Sequence, residues 1–334
     1  MKGWAKISLF GVHLVVSALL LANFLNAYVP PSVFPLFNFL PFLFPFLFGV
    51  HLGLFFLWVW RKKRKAWFFV PVTLCCLLPM QRYFNLKGQS EGEREISVMT
   101  YNVEYNNHEF EDEIEAFLLK HEVDVLFLQE PDFMDLRDIE TGGYTAIKYP
   151  LVGLYTKHKV LRQARILDDS EGWVGDALYA DIEIDGRVFR FINVYLESFT
   201  LEKSRLGLSS SFEENRSNAF GVAAKMLPVF KIHQLQIEKI YRYIEHSPYP
   251  VILGGDFNAV PNSYEYYRFR AVLQDPFELV GRGSGASFYE LPVPLRIDYV
   301  FCSSEFKPVD YTVNTEIRFS DHYPVRATFR VSED

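Results

Sequence analysis

The chain has 334 residues, 49% hydrophobic and 22% charged, with 34 basic and 41 acidic side chains and a formal net charge of −7. The average hides two unlike parts. Nine Lys/Arg and no acid precede Glu91, so the 25 basic and 41 acidic residues that remain give the rest a formal charge of −16. This composition excludes a disordered chain, a basic nucleic-acid coat protein and a small disulfide scaffold.

Residues 1–88 read as a membrane region. A bilayer core about 30 Å thick needs about 20 apolar residues of helix. Ile7 to Leu25, Asn38 to Trp60 and a shorter run from Ala66 to about Phe84 are the three predicted transmembrane helices. Pro30-Pro31 forces a turn between the first two. Pro41 and Pro45 would kink the second. A cleaved signal peptide is the rival for the first span, but its apolar run is long and lacks a clean cleavage site. Lys2 and Lys6 flank the first span, and Arg61-Lys-Lys-Arg-Lys65 separates the second from the third. Both clusters should face the cytoplasm, which puts everything after the third crossing outside. In a bacterium that is the inner membrane with a periplasmic domain. If the third run, interrupted by Pro71 and Pro79, only skims the surface, the domain is cytoplasmic.

One repeat is visible: Leu9-Phe-Gly-Val-His-Leu14 recurs as Leu47-Phe-Gly-Val-His-Leu52. His13 and His51 then lie at similar depth on antiparallel helices. A proton or metal site is one reading; with no carboxylate nearby, a neutral hydrogen-bonded helix contact is favoured. Cys75 and Cys76 sit in the third run, and Cys302 is alone in the soluble part, so no disulfide can form there.

Residues 89–94 form a polar linker, and 95–334 a soluble domain. Strands are expected at Ile96–Tyr101, Asp124–Leu128, Leu151–Tyr155, Asp176–Ile184, Arg187–Leu196, Val251–Gly254, Ile297–Cys302 and Val325–Val331. Asp185-Gly186 is a hairpin turn signal. Helical patterns fall at Glu111–His121, Gln234–Glu245 and Ser263–Val272, and Glu197–Pro228 reads as an irregular polar insertion. Strands, hairpins and intervening helices imply an α/β fold, layered, with mixed sheets.

Polar residues collect where apolar strands stop: Met99-Thr-Tyr-Asn-Val-Glu104, Leu126-Phe-Leu-Gln-Glu130, Asn193-Val-Tyr-Leu196, Ile252-Leu-Gly-Gly-Asp-Phe-Asn258, Arg296-Ile-Asp-Tyr299 and Ser320-Asp-His322. Buried strands disfavour such residues unless they are paired or bind something. Oxygen donors of this kind suit a hard cation such as Mg²⁺, with Mn²⁺ a possible substitute, and not structural zinc. No Gly-x-Ser-x-Gly elbow accompanies the Asp and His, so a serine hydrolase is excluded. Taken singly, each motif has a bland alternative: Asp298 pairing with Arg296 at the surface, or Asp256 and Asn258 forming only an Asx turn.

In combination, Gly254-Gly-Asp-Phe-Asn258 and Ser320-Asp-His322 resemble the endonuclease/exonuclease/phosphatase superfamily over nearly the whole soluble domain. The helical part looks like that of membrane-anchored bacterial members. The resemblance implies a sandwich of two mixed β-sheets flanked by helices, and a metal-dependent phosphoester hydrolase. It makes Glu130 the principal metal ligand, with Asn102 binding metal or orienting Glu130, Asp321 ligating the metal or its waters, and Glu104 a further acid. Asp256 would deprotonate the attacking water, Asn258 hold a phosphate oxygen, and His322, oriented by Asp298, stabilise the phosphate. Many members carry His where this chain has Tyr195, and a phenol is a poor acid at neutral pH.

The substrate is then a phosphoester: nucleic acid, phospholipid headgroup or small phosphate ester. The −16 charge argues against nonspecific nucleic-acid binding, while anchoring to a lipid bilayer favours a membrane-borne substrate by effective concentration. In or just after the insertion, Arg205, Arg216, Lys225 and Lys231 could form a basic patch. Leu206, Leu208, Phe212, Phe220, Met226 and Phe230 could rest on lipid, although packing under the loop is favoured. The alternative to an enzyme is a tethered non-catalytic binding module. No protein partner is inferable.

Overall fold

The structure, a computed structural model, describes residues 9–332 apart from 63, 91, 93–94, 132–133 and 200–211; side chains at 169 and 212–216 also lie outside the description. Arg205, Leu206, Leu208 and the side chains of Phe212 and Arg216 therefore fall outside it.

Three apolar helices come first: α1 (Leu9–Ala22), α2 (Leu40–Trp60) and α3 (Ala66–Gln81). A 3-10 turn at Asn23–Ala27 extends α1, and another at Pro35–Phe39 leads into α2. The stretches Leu9–Ala27 and Pro35–Trp60 are long and apolar enough to cross a membrane. The third helix has 16 residues, about 24 Å at the α-helical rise. Pro45 lies inside α2 without ending it, its missing N–H being one lost bond among many. Outward faces are apolar, with Val15, Leu43, Phe46, Phe56, Trp60, Trp67 and Leu78 exposed.

The histidines of the repeat face each other inside this bundle. Trp58 Nε1–H donates to His13 Nδ1 at 3.0 Å. His13 Nε2 lies 3.0 Å from His51 Nδ1, and His51 Nε2 lies 2.9 Å from Thr73 Oγ1. Thr73 donates onward to the Phe69 carbonyl at 3.1 Å. Since an indole can only donate, each ring carries its proton on Nε2 and the chain runs one way through two neutral imidazoles. This is the hydrogen-bonded helix contact.

After β1 (Phe84–Asn85) the chain enters β2 (Ile96–Asn102), α4 (Glu111–Lys120), β3 (Val125–Gln129), α5 (Arg137–Thr141), β4 (Thr145–Lys148), β5 (Val152–Thr156) and β6 (Lys159–Leu167). The hairpin β7 (Asp176–Ile184) and β8 (Arg187–Tyr195) turns at Asp185-Gly186, where both residues have positive φ. Then come α6 (Phe212–Glu245), β9 (Val251–Asp256), α7 (Tyr264–Arg270), α8 (Pro276–Val280), β10 (Gly283–Ser284), β11 (Asp298–Cys302), β12 (Phe306–Val313) and β13 (Val325–Val331).

Two sheets stack. The first runs β12-β13-β2-β3-β5-β4 and the second β11-β9-β8-β7-β6. The pairs β2/β3 and β8/β9 are parallel and the rest antiparallel, so both sheets are mixed. Side-chain alternation with period two explains the layers. In β2, Ile96 and Val98 enter the inter-sheet core with Phe127, Leu154, Phe191 and Ile252. Met99 and Tyr101 point the other way, onto Ile114, Phe117 and Leu118 of α4. Likewise Phe189 and Phe191 of β8 face inward, while Ile192 and Val194 pack under Ile237, Ile240 and Ile244 of α6.

Three expectations need correction. The segment that reads as irregular to Pro228 is helical from Phe212, and α6 runs 34 residues through Pro228. Met226, Phe230, His233, Ile237, Ile240 and Ile244 form one buried stripe at spacings of three and four. Packing of that stripe outweighs the one N–H that proline lacks. Strands β4, β6 and β12 lie outside the expected set; β4 and β6 are short or charged edges whose exposed residues mask the alternation. Arg296 does not pair with Asp298 at the surface: it is buried and forked onto Asp275 at 2.7 and 2.8 Å.

The helical region rests directly on the sandwich. Arg82 donates from Nη1 to Asn262 Oδ1 at 2.6 Å and from Nε to Glu278 Oε1 at 2.8 Å. The Tyr83 hydroxyl lies 2.7 Å from Pro41 O and 2.5 Å from Pro261 O. These contacts use the start of α2 and the end of α3, so the helix ends Trp60 and Ala66, between which the basic run falls in sequence, lie at the opposite end of the bundle.

Candidate active site

The registers bring the polar strand ends to one pole. Asn102 at the end of β2 pairs with Gln129 at the end of β3. Asp256 at the end of β9 stands opposite Tyr195 of β8 on one side and Asp298 of β11 on the other. The Gly-Gly before Asp256 makes the approach possible. A Cβ at 254 would fall 2.8 Å from the Phe127 ring of the facing sheet, and at Gly255, with φ of 138°, one would fall 1.9 Å from Val194 O. Only glycine tolerates both demands.

Glu130, Glu104 and Asn258 all adopt positive φ, at 61°, 63° and 45°. For residues with a Cβ this left-handed conformation carries strain, tolerated where the surroundings fix it. Those surroundings are hydrogen bonds. Asn102 Nδ2 donates to Glu130 Oε1 at 3.1 Å and to Asp256 Oδ2 at 3.0 Å. Its Oδ1 accepts from the Glu104 N–H at 3.0 Å, and the Tyr105 N–H donates to Glu130 Oε2 at 2.9 Å. Asn258 N–H donates to Asp256 Oδ1 at 2.8 Å, and its Nδ2 donates to the Leu196 carbonyl at 3.0 Å. The Asx turn offered as a bland alternative therefore exists, inside the polar cluster.

His322 arrives from the loop between β12 and β13. Its Nδ1 lies 2.7 Å from Asp298 Oδ2, leaving Nε2 aimed at Asp256 Oδ2 and Asp321 Oδ1, each 3.9 Å away. Ser320 Oγ fastens this loop by donating to the Asn102 carbonyl at 2.7 Å, and the Phe288 ring covers the imidazole at 5.0 Å. Asp298 Oδ1 is buried with no partner among the described residues.

Electrostatics follow from this crowding. Burial, then the neighbouring Asp298 carboxylate, push the Asp256 carboxyl up to about 8. For His322 burial works against the charged ring, but Asp298, with Asp256 and Asp321, outweighs it and raises the imidazole to about 10. Burial, then Glu130 and Asp256, hold the Tyr195 phenol far above its usual value, so it is a hydrogen-bond donor and not a proton donor near neutrality.

Asp256, Asp298 and His322 form a group of potential metal ligands, each offering an atom within 4.8 Å of the others. Within it Asp298 Oδ2 and His322 Nδ1 are engaged with each other at 2.7 Å, while Asp298 Oδ1 has no hydrogen-bond partner among the described residues. Glu130, Asp256 and Asp321 bring carboxylate oxygens, the donor type that a hard divalent cation takes, and no thiol accompanies them. Cys302 is four residues along β11 from Asp298 and buried. Asn102 presents its N–H₂ to the acids, an orienting arrangement.

All nine candidate residues thus lie at this pole, Glu104 entering through its backbone N–H. Sequence reading missed the brace behind them. Gln129 Nε2 donates to Asn193 Oδ1 at 2.6 Å, and Asn193 Nδ2 donates to the carbonyls of Leu128 and Gly153 at 2.9 and 2.8 Å. These buried amides tie the two sheets together just below the site. The signal was present in Leu-Gln-Glu and Ile-Asn-Val, where an amide interrupts an apolar strand.

The Endonuclease/Exonuclease/phosphatase family matches residues 99–322. Residues 6–83 match a separate domain family of unknown function. No curated protein matches the chain. Among solved structures, D. rerio TDP2 complexed with single strand DNA product has a TM-score of 0.55 at 17% identity, covering 71% of this chain and 99% of that one. The catalytic domain of human Nocturnin with bound sulfate anion has a TM-score of 0.54 at 17% identity, covering 74% and 98%. An endonuclease/exonuclease/phosphatase from Bacteroides vulgatus has a TM-score of 0.52 at 20% identity, covering 72% and 100%. These likenesses establish the fold as α/β with two mixed sheets flanked by helices. With the family match spanning the site from Met99 to His322, the chain belongs to the Endonuclease/Exonuclease/phosphatase family of phosphoester hydrolases.

Proposed function

We propose that this is a membrane-anchored, divalent-cation-dependent phosphodiesterase. The observation that carries the reading is the convergence of Asn102, Glu130, Asp256, Asp298 and His322 in one hydrogen-bonded cluster at a strand-end pole. Glu130 and Asp321 hold the cation, with Asn102 orienting Glu130 and Glu104 as a further acid. When bound, Mg²⁺ or Mn²⁺ supplies charge neutralisation at the phosphate and favours the ionised form of Asp256. Asp256 orients a water in line with the leaving oxygen and takes its proton as the new P–O bond forms and the old one breaks. Asn258 Nδ2, 3.0 Å from the Leu196 carbonyl and 3.5 Å from Asp256 Oδ2, turns its second N–H from that long contact to a phosphate oxygen. His322, held cationic by Asp298, directs Nε2 at the centre and stabilises charge on the equatorial oxygens. Tyr195 donates a hydrogen bond to the same phosphate.

The domain limits that go with this reading are 1–88 for the membrane region, 89–94 for the linker and 95–334 for the catalytic domain. The basic run Arg61–Lys65, which falls in sequence between helix ends at the far end of the bundle, supports a cytoplasmic loop and an extracytoplasmic, periplasmic catalytic domain. Acidic charge on that domain and its seat against the helices favour a membrane-borne phosphodiester, such as a lipid headgroup, over bulk nucleic acid. TDP2 was solved with a single strand DNA product, so nucleic acid is the comparison arm.

The test uses the full chain in detergent with bis-(p-nitrophenyl) phosphate, sphingomyelin, DNA or RNA, in Mg²⁺, Mn²⁺ or EDTA. Turnover should need the cation, and Asp256→Ala should cost about 10²–10⁴-fold in kcat. Turnover that survives that substitution or EDTA would defeat the assignment. An alkaline phosphatase fusion after Ser90 should be active; a silent phosphatase beside a bright fluorescent-protein fusion would reverse the orientation.

A further inference from the structure

Among the buried polar clusters that the chemistry above leaves unused, one joins the helical region to the sandwich. Asn38, His233 and Glu265 are 2%, 0% and 1% exposed, and they come from the entry to α2, from α6 and from α7. Asn38 Nδ2 donates to both Glu265 oxygens at 3.2 Å, and its Oδ1 accepts from the Tyr264 N–H at 3.2 Å. His233 Nδ1 lies 3.0 Å from Glu265 Oε1, and Nε2 lies 2.7 Å from the Glu197 carbonyl. Both ring nitrogens therefore face oxygen partners. A buried carboxylate is kept only where donors surround it, and here one donor belongs to the helical region.

The far end of the cluster reaches the active pole. Glu197 N–H donates to Gln236 Oε1 at 3.0 Å. The preceding residue, Leu196, donates its N–H to the Asp256 carbonyl at 3.0 Å and accepts Asn258 Nδ2 at 3.0 Å. A continuous line of hydrogen bonds therefore leads from Asn38 through Glu265, His233 and the 196–197 backbone to Asn258 and Asp256.

We propose that Asn38 is a positioning residue of the hydrolytic site, through which the helical region fixes the Leu196–Glu197 backbone and with it the Asn258 amide. This rests on the hydrolase reading of that site. The critical pair of variants is Asn38→Asp alone and Asn38→Asp with Glu265→Gln. The first sets a second carboxylate against Glu265. The second restores complementarity by exchanging the two groups. The amide now at position 265 donates to the carboxylate now at position 38, which still accepts from the Tyr264 N–H. The amide oxygen at position 265 still accepts from His233.

In the full chain in detergent, Asn38→Asp should lower kcat on bis-(p-nitrophenyl) phosphate about tenfold or more with KM within about twofold. The double variant should recover most of that loss, whereas a mere packing role makes the two losses add. Hydrogen exchange gives a readout independent of turnover: amides 195–199 should exchange about tenfold faster in Asn38→Asp and return in the double variant. An inactive wild type would sink the hydrolase reading and leave exchange to judge the relay. Where Asn38→Asp does not fold, Asn38→Ala reads the same exchange without repulsion. Wild-type exchange at 195–199 overturns the proposal, as does wild-type kcat in Asn38→Asp.

Discussion

Buried imidazoles in the helix bundle and at the strand-end pole behave in opposite ways. In the helix bundle His13 and His51 lie in a line where every donor meets an acceptor, from Trp58 to the Phe69 carbonyl. At the strand-end pole His322 is crowded by Asp298, Asp256 and Asp321, and Asp298 Oδ1 has no partner among the described residues. The first arrangement is complete as it stands. The second holds more negative charge than its own donors neutralise, which is what a cation or a charged transition state can relieve. Burial of a polar group does not by itself mark a site; leftover valence does.

Three changes sharpen or break that contrast. The largest is at the buried ion pair Arg296–Asp275, which lies outside both arrangements. Arg296→Met strands a buried carboxylate and should cost about 3–5 kcal/mol in denaturant unfolding. Burial raises the Asp275 carboxyl, but the Arg296 guanidinium overrides it and holds the group below the usual carboxylate range. Its stabilisation is therefore complete above the unfolded value of about 3.9 and fades as pH falls through the lower folded value. Asp275→Asn should flatten that part of the acid-unfolding curve; an unchanged slope would contradict the pairing.

Next is Asp298→Asn, expected to lower kcat about 10²-fold. Asp298 is what raises His322, to about 10, so without it the ring loses its charge at lower pH. The alkaline limb of the kcat profile should move to lower pH, and a limb that stays put would remove His322 from the charge-stabilising role. The smallest effect on activity is expected from His51→Phe. It breaks the bundle chain and should cost about 1–3 kcal/mol of stability, yet leave kcat within about twofold. A large loss of turnover with the fold intact would make the bundle histidines part of the chemistry.

Much of the pole was legible because its residues violate their surroundings: Asn, Asp or Glu closing an apolar strand is visible in sequence. Strands Asp176–Ile184 and Val325–Val331 were legible to the residue, the first as an apolar-rich run closed by the Asp185-Gly186 turn and the second by its alternation. The first half of α6 was hidden by Pro228 and by the polar residues before it. Asn38 looked like the first residue of a membrane span, since its partners Glu265 and Tyr264 lie more than two hundred positions downstream. Local patterning carries no trace of such a meeting; for the Gln129–Asn193 brace the interrupting amides are visible in sequence, but their pairing across the sheets is not.

The way Arg82, Tyr83 and Asn38 bolt the sandwich to its helices has a geometric consequence. A domain on a slack leash sweeps a hemisphere and meets anything that drifts past. One clamped at several helix ends keeps a single height and tilt. If the helices lie in a bilayer, reactivity is gated by elevation: a phosphorus centre is cut according to how far it stands from the lipid plane, before any side chain inspects what is attached to it.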